Sequence, residues 1–348
     1  MDLSSITLLI LSHYRQHCLK ATLQFYKDIE INLLVLDNSD KPLDSSFIPD
    51  NCNYIFTQID FAARSKLASS LIKTKYTIIG ADDEIYLPHA LSNMKEFLEK
   101  NNDYVAVGGN TLAIWRYGNY IAGNWAYKRT FEYHNQEKTS LDRIKKHTGG
   151  GSNPLTSFFT CNLTRSKYAK LCLAAYGQAP VLSTDAISVL IICGGGKSKY
   201  LNELYWIRNW NQFPRSHANW NRGIALNEWW DDPNNLEAKK VFESYLERTY
   251  YNLGGGSSFK ESWCMILKAT EAMNTKINRI QAFFARLNEF RFFVRMKFLI
   301  KSILFPTKLP KNFSSELELM RDSGIYFNNR ETFAAVKLVS SLIPYRNW

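Results

Sequence analysis

Short apolar runs alternate with segments of helical spacing over the first hundred residues. Apolar runs occupy residues 6–11, 31–36 and 76–79, and short runs bounded by polar turns are typical of buried strands. Residues 18–26, between the first two runs, carry apolar side chains at helical spacing. This alternation predicts a parallel sheet flanked by helices. A further strand is predicted at 54–57, and further helices at 62–73 and 88–100.

The later part of the chain gives weaker signals. Residues 104–126 are irregular in pattern, and the Gly-rich stretch 147–154 predicts a loop, so we expect mobile or acceptor-facing structure in both. Helices are predicted at 165–175 and 186–193, and a strand at 199–208.

The stretch Gly254-Gly-Gly-Ser-Ser258 is the best candidate for a domain boundary. We therefore predict an α/β domain over residues 1–253 and a helical C-terminal region over residues 254–348.

A basic, Phe-rich segment lies inside the predicted C-terminal region. Residues 276–311 contain nine Lys or Arg and seven Phe against one acid, Glu289. A helix at about 276–305 is expected to pack on the main domain or on a second copy in a homodimer. The alternative is a basic amphipathic helix on an anionic membrane surface, and nucleic-acid binding is the weakest of the three interpretations.

The net charge and the cysteine pattern indicate the kind of partner and the cellular compartment. The formal net charge of +11 favours anionic partners. The six cysteines are scattered without a C-x-x-C pair, as expected of reduced thiols in the cytosol. The N-terminal apolar run follows an acid and is too short for an anchor. We expect a cytoplasmic protein, with peripheral attachment to the inner face of the plasma membrane as the extension of this hypothesis.

Acidic residues follow two of the predicted strands. Asp82, Asp83 and Glu84, called here the acid triplet, come after strand 76–79, and Asp37 ends strand 31–36. Adjacent carboxylates repel one another unless a cation or hydrogen-bond donors neutralise them, and ligands of α/β sheets bind at the carboxyl ends of strands. Mn²⁺ or Mg²⁺ suits such oxygen ligands. The alternatives are a solvated turn for the triplet and an Asx turn for Asp37.

These segments resemble a known family. The stretches ILSHYRQHCLKATLQFY and INLLVLDNSD are similar to the opening of family 2 glycosyltransferases of the GT-A fold, where T-x-N-R ends the first strand and D-x-S-x-D the second. The stretch FAARSKLASSLIKTKYTIIGADDEIYLPHAL is similar to that family's R-N and D-x-D segments, and GADDE with FLEKNNDYVAVGG resembles a bacterial subgroup with A-D-D-D. The resemblance covers residues 5–110, and more weakly extends to 210.

The resemblance implies roles for the residues near a nucleotide. Asp37 matches the acid that hydrogen-bonds the nucleobase, and Ser12 and Arg15 lie in the stretch around base and ribose. Arg64 matches the arginine that approaches the nucleotide.

The resemblance also implies a metal site. Asp83 matches the acid that ligates the metal, and Asp82 a ribose-binding or supporting acid. Ala81 stands where the commoner motif has its first acid, and Ser65 where it has Asn. The choice of metal ligand among Asp82, Asp83 and Glu84 therefore stays open.

Residues beyond 180 resemble later segments of the family, the E-D position around Asp185 and the closing y-x-x-R... H stretch at 205–217. Asp185 lies where such enzymes place a catalytic base, and a carboxylate can deprotonate an acceptor hydroxyl; the alternative is a helix N-cap. Arg208 or Arg215 is expected on the diphosphate, and His217 as a metal ligand or a surface residue. The tryptophans Trp220, Trp229 and Trp230 suit core packing or stacking on sugars.

The resemblance implies a GT-A fold, that is, a Rossmann-like, mostly parallel sheet flanked by helices, with a metal-dependent, inverting glycosyltransferase activity. The implied partners are a nucleotide-sugar donor and a glycan or lipid-linked acceptor in bacterial surface polysaccharide synthesis. A sugar nucleotidyltransferase is disfavoured because Ser-His-Tyr-Arg stands where its Gly-rich loop would be, and no P-loop or G-x-S-x-G motif is present. A basic binding module with a degenerate transferase fold is the non-enzymatic alternative, favoured by Ala81.

Overall fold

The computed structural model describes residues 1–117, 120–126, 134–152, 159–179, 183–209, 226–288 and 311–342. The predicted site residues His217 and Arg215, together with Trp220 and most of the segment 276–305, lie outside these residues.

Strands and helices alternate through the first hundred residues, as predicted. The strands are β1 (Leu3–Ser12), β2 (Ile31–Asp37), β3 (Cys52–Phe56), β4 (Tyr76–Gly80), β5 (Glu84–Tyr86), β6 (Tyr104–Tyr117), β7 (Tyr120–Ala126), β8 (Leu163–Arg165), β9 (Lys197–Asn209) and β10 (Lys311–Asn312). The helices are α1 (Gln16–Tyr26), α2 (Phe61–Leu71), α3 (Pro88–Lys100), α4 (Ser140–Thr148), α5 (Ser166–Tyr176), α6 (Thr184–Gly195), α7 (Leu226–Asp231), α8 (Leu236–Asn252), α9 (Phe259–Asn288), α10 (Phe313–Asp322) and α11 (Asn329–Leu342).

The described strands form one mixed sheet. Strands β3, β2, β1 and β4 lie side by side and are parallel. Beyond β4 the sheet continues through β8, β6, β7 and β10, all in antiparallel pairs, while β9 runs parallel to β6 and antiparallel to β5. The expected mostly parallel sheet is therefore found only in its first half.

The ends of the parallel strands meet at one edge. Ser12 pairs in register with Asp37, Asp37 with Phe56, and Ile10 with Gly80. Because the acid triplet begins two residues after Gly80, the register brings it beside Ser12 at the carboxyl end of the sheet.

Two buried layers cover the faces of the sheet, which explains the continuous apolar runs in the strands. Leu8 and Ile10 face α1, α3, α10 and α11, whereas Leu9 faces α2, α5, α6, α8 and α9. The side chains of one strand thus alternate between the two layers.

The region 104–126 departs from the expectation of irregular structure. It forms β6 and β7, and Leu112 and Ile114 are fully buried. A side chain at Gly109 would place its Cβ 2.5 Å from the carbonyl oxygen of Glu203. The glycine that obscured the strand pattern therefore permits the close approach of β9.

The predicted boundary at 254–258 falls between α8 and α9. Helices on both sides of it pack on the sheet: Leu246 of α8 and Ile266 of α9 share one layer, and Leu317 of α10 and Val336 of α11 belong to the other. In the described part of the chain, no helix is long and apolar enough to cross a membrane.

Candidate functional site

The candidate site lies at the carboxyl edge of β1, β2 and β4. Two helices supply further side chains there, because α1 begins directly after Arg15 and α2 carries Arg64 in its first turn. The register of the strands and the starts of these helices bring together Ser12, Arg15, Asp37 and the acid triplet, as the sequence predicts.

Asp37 is a buried carboxylate with three donors. Ser39 Oγ donates to Oδ1 at 2.7 Å, while Gln16 Nε2 and Tyr54 OH donate to Oδ2 at 2.9 and 2.8 Å. Burial, and then Asp37 itself, raises the pKa of Tyr54 to about 12, so its hydroxyl stays a donor. A carboxylate has about four acceptor positions, and these donors use three of them. Sequence analysis missed Gln16 and Tyr54, although both lie beside strand ends.

Arg64 lies beneath this edge and is 3% exposed. Its Nη1 donates to the carbonyl oxygens of Ser12 at 2.6 Å and Leu36 at 3.4 Å. Burial lowers the pKa of this guanidinium, and Asp37 opposes that effect. In this arrangement Arg64 joins the ends of β1 and β2.

Asp82 and Asp83 share one arginine. Asp82 is fully buried, accepts from Ser12 Oγ at 2.8 Å, and pairs with Arg15 at 2.5 Å. Asp83 Oδ2 accepts from Arg15 Nη1 at 3.0 Å and from Asn209 Nδ2 at 3.2 Å. Arg15 therefore bridges the two carboxylates at the centre of the edge.

Glu84 has a separate cation. Strand β5 pairs with β9 so that Glu84 lies opposite Arg208, whose Nε is 3.2 Å from Glu84 Oε1. Trp206 Nε1 donates to the other oxygen at 3.0 Å. Arg208, predicted to hold diphosphate, is therefore engaged with the acid triplet here.

Asp82 and Glu84 hold their protons more tightly than ordinary carboxyl groups. Burial raises the pKa of Asp82 to about 7, with Arg15 opposing the effect. Burial likewise raises the pKa of Glu84 to about 7, with Arg208 opposing it. Two buried carboxyl groups thus titrate near neutral pH beside Asp83.

Asp83 is the member of the triplet that fits a divalent cation. Among the described residues, no three His, Cys, Asp or Glu side chains converge on a common metal position. Mg²⁺, however, is commonly held by one or two carboxylates together with phosphate oxygens and water. The hydrogen bonds to Asp83 within the described structure use Oδ2, whereas both oxygens of Asp82 and of Glu84 are engaged.

Asp185 lies in the first turn of α6, one residue beyond the start of the helix. Its Oδ1 accepts from Thr160 Oγ1 at 3.0 Å. Asp185 is therefore placed at the start of α6, with a hydroxyl donor from the segment that precedes β8. Ser183 is the N-cap residue.

The described tryptophans of the acceptor side are core residues. Trp229 and Trp230 are buried, and the Trp230 ring lies 5.4 Å from that of Trp263. This arrangement matches the packing interpretation and leaves their ring faces covered.

No family model matches the chain, and no curated protein matches its sequence. Solved structures do match, among them the crystal structures of S. aureus TarS and of S. aureus TarS 1-349, at 10% and 9% identity and a TM-score of 0.43 each. The alignments cover 70% of this chain and 39% of the first structure, and 74% and 73% for the second. The chain thus spans about two fifths of the length of the first structure. At this similarity nothing about activity follows.

Proposed function

We propose that this protein is a glycosyltransferase that moves a sugar from a nucleotide-sugar to a glycan or lipid-linked acceptor, with inversion at the sugar carbon and Mn²⁺ or Mg²⁺ as cofactor. One observation carries the proposal: a hydrogen-bonded acid, Asp37, and the arginine-paired acid triplet lie together at the carboxyl edge of parallel strands. That edge is where nucleotides bind in α/β sheets.

Asp37 is assigned to the nucleoside. Three donors hold its carboxylate in place, and its remaining acceptor position suits an N–H group of a base. A group fixed in this way binds without reordering, which reduces the entropic cost of association.

Asp83 is assigned to the metal, with Arg15 and Arg208 beside the diphosphate. The bound cation would supply charge stabilisation to the departing nucleoside diphosphate. The arginines contribute fixed positive charge at the same place, since guanidinium groups match phosphate oxygens. Asn209, which donates to Asp83 Oδ2, orients the carboxylate.

Asp185 is assigned as the base. In an inverting transfer the acceptor oxygen attacks the anomeric carbon while the bond to the diphosphate breaks, and the hydroxyl proton passes to a carboxylate. The hydrogen bond from Thr160 to Asp185 at the start of α6 supports a carboxylate held in a fixed place. A role in bacterial surface polysaccharide synthesis, in the cytoplasm or on the inner face of the membrane, completes the proposal.

A second candidate is a basic binding module with an inactive transferase-like site. The ion pairs favour it, because Arg15 and Arg208 already neutralise much of the acid triplet. Such a module would gain no stability from a nucleotide with metal.

Thermal unfolding with UDP-, GDP- and dTDP-sugars, with and without Mn²⁺, separates the candidates. The enzyme is expected to show a metal-dependent rise in Tm of several degrees with one donor class, absent in Asp83→Asn. Asp103→Asn is the matched control, because Asp103 is an exposed acid paired with Lys197 away from the site, and it should respond like the wild type. No shift with any donor would support the binding module.

A further inference from the structure

Three hydroxyl groups lead from the interior to Asp185. Thr160 Oγ1 donates to Asp185 Oδ1 at 3.0 Å and lies 3.2 Å from Ser188 Oγ. Ser188 Oγ in turn lies 2.5 Å from the hydroxyl of Tyr176. Ser188 and Tyr176 are 1% and 2% exposed, so these hydrogen bonds are shielded from bulk water.

The Asp185 carboxylate fixes the direction of all three hydrogen bonds. An ionised Asp185 only accepts, so the single proton of Thr160 points to it, and Thr160 can then only accept from Ser188. By the same reasoning Ser188 accepts from Tyr176. The protons therefore all point toward Asp185, and donors aligned in this way strengthen one another in a low-dielectric interior.

The secondary structure elements that carry these three hydroxyl groups are rigid. Tyr176 ends α5, Ser188 lies one turn into α6 beside Asp185, and both helices pack in the same buried layer. Thr160 precedes β8, so one hydroxyl links the loop before β8 to the first turn of α6. The three hydroxyl groups reach Asp185 at its Oδ1, through Thr160.

We propose that Thr160 is a positioning residue, which, with Ser188 and Tyr176 behind it, holds the Asp185 carboxylate in the orientation that receives the acceptor proton. This inference rests on the proposed function, because it gives Asp185 its orientation as the base. The proposal thus gives three hydroxyl groups a role in the reaction, although none of them touches the substrate.

Thr160→Val tests the proposal, because valine keeps the shape of threonine and removes the hydroxyl. We expect kcat to fall about 10- to 100-fold, the size expected for losing a hydrogen bond to a charged group, with the donor KM and the Tm shift by nucleotide nearly unchanged. Thr160→Ser keeps the hydroxyl and should restore kcat to within about threefold of wild type. A purely structural role would lower Tm in both variants without this division between kcat and KM.

Ser188→Ala provides a second test that leaves Thr160 in place. It should lower kcat less than Thr160→Val, because the donor to Asp185 remains and only its support is lost. If Thr160→Val keeps kcat within about twofold of wild type, or if Thr160→Ser is as slow as Thr160→Val, the proposal is wrong.

The variant Asp185→Asn separates a failure of the positioning role of Thr160 from a failure of the assignment of Asp185 as base. If Asp185→Asn is inactive while Thr160→Val is not, the positioning role alone fails. If Asp185→Asn transfers sugar normally, both the base and its positioning are wrong. If the wild-type protein transfers no sugar from any donor, the proposed function fails and the inference falls with it.

Discussion

Asp82 shows how a single buried carboxyl group can connect folding to the site. It is fully buried, yet Arg15 and Ser12 both contact it. Burying an ion pair costs desolvation that the attraction between the charges only partly returns. Such a group contributes less to stability than its short contacts suggest, and its value lies in fixing Arg15 and Ser12 at the strand ends.

The pH dependence of unfolding should reveal Asp82. Its pKa rises from the ordinary 3.8 to about 7 in the folded state, so the folded state binds the proton more tightly. This contribution to stability is complete below pH 4 and is lost as the pH rises to 7. In the absence of metal, we therefore compare the free energy of unfolding of the wild type with that of Asp82→Asn. The wild type should lose about 2–4 kcal/mol relative to the variant between pH 4 and pH 7.

Asp44→Asn is the control for the sign of that effect. Asp44 is exposed, and hydrogen bonds from Ser46 lower its pKa, so its contribution is present above the ordinary pKa and is lost toward acid pH. Urea titrations at each pH measure both differences. A difference for Asp82→Asn that stays constant between pH 4 and 7 would contradict the assignment.

Arg64 allows a second prediction about a single buried side chain. Arg64→Gln removes donors from two strand-end carbonyl groups in the interior, which should cost about 2–3 kcal/mol. Lys66→Gln, an exposed substitution on the same helix, should cost less than about 0.5 kcal/mol. Urea unfolding measures both. An equal cost for the two variants would show that Arg64 does not join β1 to β2.

The sequence predicted which residues reach the edge better than it predicted their partners. Asp37, Asp82 and Asp83 follow strands, and position along a parallel sheet is a local property. The pairing of Glu84 with Arg208 depends on β5 lying against β9, about 120 residues apart in sequence, and no local pattern encodes it. The donor to Asp185, Thr160, was missed for the same reason.

Among the elements, α2 depends on its N-cap residue, Asp60. Asp60 Oδ1 accepts from the backbone N–H of Ala63 at 2.7 Å, and a carboxylate here also complements the helix dipole. One turn later the helix presents Arg64 to the strand ends. The cap therefore fixes the start of the helix that holds two strands together.

Asp60→Ala should lower the free energy of unfolding by about 1 kcal/mol, because it removes this cap. Asp60→Asn keeps a side-chain oxygen at the cap and should lose no more than about half as much. Chemical denaturation of the three proteins measures the difference. Equal losses in Ala and Asn variants would mean that the charge, and not the cap, stabilises α2.

The elements of the first hundred residues were predicted well because each follows from a local pattern. Strands β1, β2 and β4 are apolar runs buried on both faces, and α3 is an amphipathic helix with Pro88 in its first turn. The pattern failed at β6, where glycines and aromatic residues hide a long strand. There the strand is stabilised by β7, β8 and β9 on its flanks, which is tertiary context overriding local preference.

At the scale of the whole molecule, the C-terminal helices belong to the same core as the candidate site. Leu317 of α10 and Val336 of α11 are buried with Leu8 and Ile10 of β1. Glu331 Oε2 of α11 also accepts from the backbone N–H of His89 at the start of α3. A chain that ended at residue 253 would expose that apolar layer to water.

Val336→Asp tests whether α11 and the sheet unfold together. Val336 is 1% exposed, and an unpaired carboxylate there should cost about 3–5 kcal/mol. Lys337→Asp, the next residue and exposed, places the same carboxylate in solvent and should cost less than about 1 kcal/mol, including its loss of helix preference. If one folding unit contains both, Val336→Asp shifts a single transition of the whole protein to a lower denaturant concentration. If instead residues 1–253 fold alone, Val336→Asp should produce a separate early transition and leave the main one at the wild-type denaturant concentration. The shared core of β1 and α11 leads us to expect the first result.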